Sequence, residues 1–150
     1  MRIKAVRYLL LLAVYLMVLS GCRAETPGIV IQKENRETIS VSVEVVRTHE
    51  ARKLGLMYRK ALAKNKGMLF VFENEKPHPF TMKNTYIPLD MIFISRTKNI
   101  AGIVENTTPK TKGPYSVKAS SKYVLEVNAH FCRDNGIKAG DSVIFENIKK

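Results

Sequence analysis

Tryptophan is absent from the 150-residue chain, and cysteine occurs only at positions 22 and 132. Two cysteines cannot build the multiple cross-links of a disulfide-framework protein, so a hydrophobic core must hold the fold. Acids are scarce as well: 13 Asp and Glu face 25 Lys and Arg, a formal charge of +12. With 8 Gly and 6 Pro, the chain is neither collagen-like nor linker-rich. No internal repeat or low-complexity tract occurs. Neither Gly-x-Ser-x-Gly, nor His-Glu-x-x-His, nor a phosphate-cradling glycine loop is present, so several common chemistries lack their residues. The unbroken apolar run Tyr8–Leu19 has twelve residues. As a helix it would cover roughly 18 Å, against the roughly 30 Å of a bilayer core.

That short run is informative in its setting. Arg2, Lys4 and Arg7 precede it without an acid, and Leu19-Ser20-Gly21-Cys22 follows it. Positive n-region, short h-region and small residues before a cysteine form the pattern of a bacterial lipoprotein signal, residues 1–21, with Cys22 as the lipidated residue. A plain secretory signal and an uncleaved anchor are the competing readings. Cleavage before Cys22 leaves 22 basic and 13 acidic residues, a formal charge of +9. The expected location is therefore extracytoplasmic and membrane-anchored. Arg23 is not the aspartate that retains many lipoproteins at the inner membrane, so a Gram-negative source implies the outer membrane, facing the periplasm. A basic domain held there meets anionic headgroups and envelope polymers. Nucleic acid is not an expected partner, and no recognition motif asks for one. Oligomeric state is left open.

Residues 22–38 mix charges with Pro27 and Gly28 and read as a lipidated N-terminus and tether, leaving 39–150 as a single β-rich domain. Ile39, Val41, Val43 and Val45 alternate with Ser40, Ser42 and Glu44, which predicts a half-buried strand. Thr48 is placed to cap a helix with Glu50 in its first turn; Leu54, Met57, Tyr58, Ala61 and Leu62 extend its spacing past Gly55. Extended runs follow at 67–72, 80–83 and 88–94. Residues 95–99 are a hairpin turn returning along 100–105. A loop spans 106–120, then come a strand at 123–127, a short helix at 129–135 stopped by Gly136, and a strand at 143–145. The fold class expected is α+β, mostly β: a small antiparallel curled sheet or barrel with two short helices.

The segments Gly55-Leu56-Met57-Tyr58-Arg59, Gly67-Met68-Leu69-Phe70-Val71-Phe72, Phe80-Thr81-Met82-Lys83-Asn84-Thr85, Ile87-Pro88-Leu89-Asp90, Tyr123–Ala129 and Gly136–Asp141 together resemble the prokaryotic family known as domain of unknown function 192. The resemblance spans residues 41–145 and implies a small β-rich fold, often exported, without supplying a reaction. One departure stands out. Where the family usually has an aromatic residue before Met-Lys-Asn-Thr, this chain has Thr81, so a ligand stacked on that aromatic would meet a different wall here.

Four constellations compete for chemistry. The first is Lys83, Asn84, Thr85 and Asp90. If residues 84–87 form a hairpin loop, Lys83 and Asp90 become diagonal neighbours on one face. They then form either a ligand pocket or an ion pair that fixes the hairpin, with Arg59 and the loop 106–120 on the same expected contact surface. The second is the acids Asp90, Glu105 and Glu126: a four-residue turn would set Asp90 opposite Glu105, the paired carboxylates of a glycan hydrolase. The third is Met57, Met68, Met82 and Met91 with His49 and His78, which suits Cu(I) chemically but whose spacing fits core filling better. The last is Cys132, two residues from His130 and read as a buried inert thiol. The composite expectation is a binding or accessory module for an anionic envelope polymer, small ligand or partner, without metal or cofactor. A hydrolase of envelope glycan using Asp90, Glu105 and Glu126 is the alternative.

Overall fold

The computed structural model describes residues 25–149, so the signal segment and Cys22 lie outside the described residues. Seven strands and two short helices follow in chain order: β1 (Gly28–Gln32), β2 (Thr38–Val46), α1 (His49–Leu54), β3 (Lys66–Lys76), β4 (Leu89–Ile94), β5 (Ile100–Val104), β6 (Ser121–Asn128), α2 (Phe131–Asn135) and β7 (Ser142–Glu146). They form one sheet in the order β5-β4-β6-β3-β2-β1-β7. The sheet curls into a half-barrel until its two outer strands touch at one end. There the Ile100 N–H donates to the Asp141 carbonyl (2.9 Å) and the Val143 N–H to the Lys98 carbonyl (2.8 Å). The Lys98 ammonium lies 3.4 Å and 3.2 Å from the ring centroids of Tyr123 and Phe145, a cation held between two aromatic faces beside that seam. No helix among the described residues is long and apolar enough to cross a membrane.

The mostly antiparallel, two-helix β architecture agrees with the sequence expectation, with one exception. β2 and β3 run parallel, Val43 beside Gly67 and Val45 beside Leu69, joined through α1. A parallel pair needs a crossover, and the Thr48-capped helix supplies it. The Thr48 hydroxyl accepts from the Ala51 N–H at 3.2 Å. The helix ends at Leu54 rather than continuing to Leu62. Gly55 leaves it at φ +49°, and a Cβ there would stand 3.2 Å from the Phe70 ring. Turn conformation and close approach both exclude a larger residue.

The segment read as a tether is corrected: Gly28–Gln32 is a strand between β2 and β7, with Ile29 and Ile31 fully buried. Only three consecutive apolar residues mark it, too few for a period to declare itself. The run at 80–83 is corrected too. It pairs with no strand and bonds instead to the loop, at the Phe80–Tyr115 bridge and from the Met82 N–H to the Thr111 carbonyl, because β4 is already occupied on both sides by β5 and β6.

Alternation of side chains across the curled sheet makes two cores. The inner one gathers Ile29, Ile31, Val41, Val43, Leu69, Ile92, Ile94, Leu125 and Val127, capped by Phe131, Cys132 and Ile137 around α2. The outer one gathers Leu56, Met68, Phe70, Met82, Leu89, Met91, Phe93 and Val124. Partly buried Phe80, Tyr115 and Val117 pack against it. Met68, Met82 and Met91 are thus core residues, and the Met82 sulfur accepts from the Thr107 hydroxyl at 3.2 Å. β4, buried along its whole length, separates the two cores.

Candidate functional site

β6 carries the chain through both cores, so its residues point alternately to each. Leu125 and Val127 face inward, while Val124 and Glu126 face outward. Register places Glu126 directly between Met68 of β3 and Met91 of β4. The neighbouring strands approach so closely that a Cβ on Gly67 would stand 2.7 Å from the Glu126 carbonyl oxygen, which explains a glycine inside β3.

Glu126 is 5 % exposed, and its carboxyl has no hydrogen-bond or ion-pair partner among the described residues. Its remaining exposure is to a cavity of about 1090 Å³, of which it forms part of the lining. Burial alone pushes this carboxyl up to about 8, so at neutral pH it is mainly a neutral O–H donor. Leaving a polar group desolvated and unpaired costs free energy, of order 1–3 kcal/mol even for a neutral one.

The cavity lies between α1 with the turn after it and the segment 78–85, over β3. Its apolar lining includes Leu56, Phe70, Phe72 and Phe80. Phe80 meets Phe70 and Phe72 edge to face, with centroids 5.1 Å and 6.2 Å apart. His78 stacks on Phe72 at 3.6 Å, and desolvation lowers its pKa, favouring the neutral imidazole. Arg52 lies over the Phe72 ring and donates to the Val71 carbonyl. Exposed Lys53, Lys76 and Lys83 complete the basic lining, and none of the three forms an ion pair among the described residues.

Of the residues singled out in the sequence, Lys83, Asn84, Thr85 and Glu126 come together at this cavity, with Met57, His49 and His78 also in its lining. Asn84 takes the left-handed conformation (φ 56°) that asparagine tolerates, and its side-chain amide donates to the Tyr58 hydroxyl at 2.8 Å. The Tyr58 N–H donates back to the Asn84 carbonyl (2.8 Å), so the two walls are clasped together. The loop 106–120 backs this segment: Lys110 donates to the Thr85 carbonyl and Met82 to that of Thr111. Arg59 does not line the cavity; it makes a two-pronged ion pair with Glu44.

Asp90 is the main correction. It is fully buried on the opposite face of β4 and forms no pair with Lys83. Its carboxylate accepts three backbone N–H groups, from Asn106 (2.8 Å), His130 (3.2 Å) and Cys132 (2.9 Å). It ties the loop after β5 to the start of α2, whose N-terminus would otherwise carry unpaired donors. The β4–β5 register expected from the turn holds from Met91↔Val104 to Phe93↔Gly102, helped by a bulge beside Ile94. Nevertheless Asp90 turns inward while Glu105 is exposed, and Glu126 occupies the other face. Glu126 therefore does not share a site with Asp90, whose carboxylate is occupied by three backbone N–H groups. Cys132 is fully buried, and burial with the nearby Asp90 charge pushes its thiol pKa far up, against nucleophilic use.

The residues that sequence reasoning missed are Phe70, Phe72 and Phe80; His78 was singled out only beside the methionines. Each looks like an ordinary core or turn residue until the register of β3 and β6 puts them around one acid. The outward alternation of Glu126 with Leu125 and Val127 was the available signal.

Comparison with known proteins follows the same residues. The model of the domain of unknown function 192 family, described as an uncharacterized ACR, matches residues 30–145. A crystal structure of a candidate transcription regulator from Sinorhizobium meliloti is 34% identical with a TM-score of 0.78, covering 81% of this chain and 94% of that one. A protein of unknown function from Novosphingobium aromaticivorans is 30% identical with a TM-score of 0.74, covering 78% and 83%. No curated protein matches the chain.

Proposed function

The chain belongs to the domain of unknown function 192 family, and on that scaffold we propose a lipid-anchored extracytoplasmic binding module whose cavity takes an amphipathic anion. The observation that carries this reading is Glu126: a buried carboxyl without a partner, opening into an apolar, aromatic-lined cavity whose charged rim has Arg52, Lys53, Lys76 and Lys83 against the acids Glu50 and Glu73. Pockets that combine apolar walls with a few placed polar groups are the usual form of small-molecule sites. An apolar body would lie against Phe70, Phe72, Phe80 and Leu56. A negatively charged head would meet Lys53, Lys76 and Lys83, and the neutral Glu126 would donate its proton to an acceptor on the ligand. The geometry favours binding: Glu126 lies buried at the floor, whereas the cavity's other acids, Glu50 and Glu73, are exposed at its rim.

Location is supported by the signal segment, the Leu19-Ser20-Gly21-Cys22 box and the basic surface. The Sinorhizobium protein is called a transcription regulator. Among the described residues neither helix, six residues in α1 and five in α2, has the length of a groove-reading helix.

Titration calorimetry of the chain from Arg23 onward tests the cavity reading, with dodecyl phosphate, dodecyl maltoside and dodecyltrimethylammonium as probes below their micellar concentrations. The phosphate is expected to bind at one site, and a Lys76→Glu, Lys83→Glu double variant to lose it. Preference for the cationic probe would contradict the assignment. Labelling cells with radioactive palmitate tests the anchor: label on the wild type and none on Cys22→Ser is expected, and an unlabelled wild type would remove lipidation from the account.

A further inference from the structure

Four large apolar side chains are strongly exposed among the described residues: Leu54, Tyr58, Tyr86 and Ile144. Three of them gather at one mouth of the cavity. Leu54 and Tyr58 line it, and Tyr86 packs edge to face on Tyr58 with centroids 6.2 Å apart. Lysines surround the group. Lys53 precedes Leu54, Lys83 precedes the Asn84 that holds the Tyr58 hydroxyl, and the Lys110 ammonium lies 5.2 Å from the Tyr86 ring. None of these lysines is ion-paired among the described residues. Glu50 and Glu73 also line the cavity, and between them the chain has six Lys and Arg and no acid.

We propose that this mouth is a docking surface for an anionic lipid bilayer, with Leu54, Tyr58 and Tyr86 entering the headgroup layer and Lys53, Lys83 and Lys110 meeting its phosphates. Tyrosine suits that boundary because its ring is apolar and its hydroxyl wet. Charge complementarity favours a negatively charged surface, and the chain length favours a bilayer over a protein. Only residues 23–27 separate Cys22 from β1, a reach of roughly 18 Å when fully extended. A lipid on Cys22 would keep the domain within about its own radius of the membrane. The inference does not depend on the cavity reading, but its choice of a bilayer rests on the lipid anchor proposed above. If both hold, an amphipathic ligand would enter the cavity from the bilayer side.

The chain has no tryptophan, so Tyr86→Trp places a unique reporter at the centre of the patch. All seven strands and both cores lie within residues 28–148, so the chain from Arg23 onward contains what the fold uses and carries no lipid of its own. It is mixed with vesicles of phosphatidylcholine alone, or with a third of phosphatidylglycerol. A blue shift and brightening with the anionic vesicles, reversed by salt and absent with phosphatidylcholine, is the expected result. Adding Lys83→Ala and Lys110→Ala weakens vesicle affinity about 25-fold, at roughly fivefold for each lysine near a charged surface. Adding Tyr58→Ser instead weakens it while leaving the charge unchanged. No blue shift at low ionic strength overturns the proposal. So does binding to soluble poly-L-glutamate as tight as to vesicles, with unshifted emission throughout, which would make the patch a polyanion site. Loss of dodecyl phosphate binding in solution bears only on the cavity, and vesicle binding only on the mouth.

Discussion

Replacing Glu126 by glutamine removes the capacity to ionise while keeping nearly the same volume between Met68 and Met91. In the folded protein this carboxyl ionises near 8 instead of its ordinary 4.5, because burial disfavours the charge. The unfolded chain releases the proton at its ordinary value. Between about 4.5 and about 8 the native state therefore binds more protons than the unfolded state, and this group makes stability fall as pH rises through that window. Below the window both states are protonated and nothing is lost; above it both are ionised and the loss is complete. At about 1.4 kcal/mol for each tenfold change in ionisation, the ceiling is roughly 5 kcal/mol. Water reaching the carboxyl through the cavity reduces this, and a gain of about 2–3 kcal/mol is expected for the variant. Urea unfolding followed by circular dichroism at a series of pH values reads it directly. Glu126→Gln should match the wild type near pH 4.5 and exceed it by that amount near pH 8.5. Parallel pH profiles for the two proteins would refute the reasoning, because they would mean the carboxylate has a partner in the folded state.

Asp90→Ala should cost about 3–5 kcal/mol by urea unfolding, since it strands three backbone N–H groups that now share one carboxylate; a loss under 1 kcal/mol would remove Asp90 from its structural role. Lys98→Ala should cost about 1–2 kcal/mol through the lost cation between Tyr123 and Phe145. Hydrogen exchange should quicken first at Ile100 and Val143 along the seam, and uniform quickening would count against a local latch. Thr81→Trp adds the aromatic wall this chain lacks beside the cavity, and should tighten an aromatic amphipathic anion such as anilinonaphthalene sulfonate about three- to tenfold.

Local patterns carried much of the architecture. The alternation from Ile39 to Val45, the turn at 95–99 and Gly136 after α2 each act within a few residues, and each stands where the pattern placed it. β1 escaped because three apolar residues with polar flanks have no visible period, and its burial comes from β2 and β7, partners far apart in the chain. Asp90 was legible as an acid needing a partner, but the natural candidate on paper was Lys83. Its real partners are three backbone N–H groups, which no residue type announces. The cavity lay hidden for the same reason. Lys83, Asn84 and Thr85 could be picked out as a polar cluster, whereas Glu126 acquires its meaning only from the register that sets it between Met68 and Met91 and beneath the aromatic walls.

Methyl NMR of the chain from Arg23 onward, labelled at methionine and isoleucine and titrated with dodecyl phosphate, tests the cavity most directly. That chain has four methionines: Met57 lines the cavity and Met68, Met82 and Met91 lie in the outer core, while Ile29, Ile31 and Ile92 lie in the inner one. The account requires the resonances of Met57, Met68 and Met91 to shift saturably while those of Ile29, Ile31 and Ile92 stay still, and the shifts to vanish in the Lys76→Glu, Lys83→Glu variant. Saturable binding that moves the inner isoleucines, or that leaves every methionine unmoved, would contradict it.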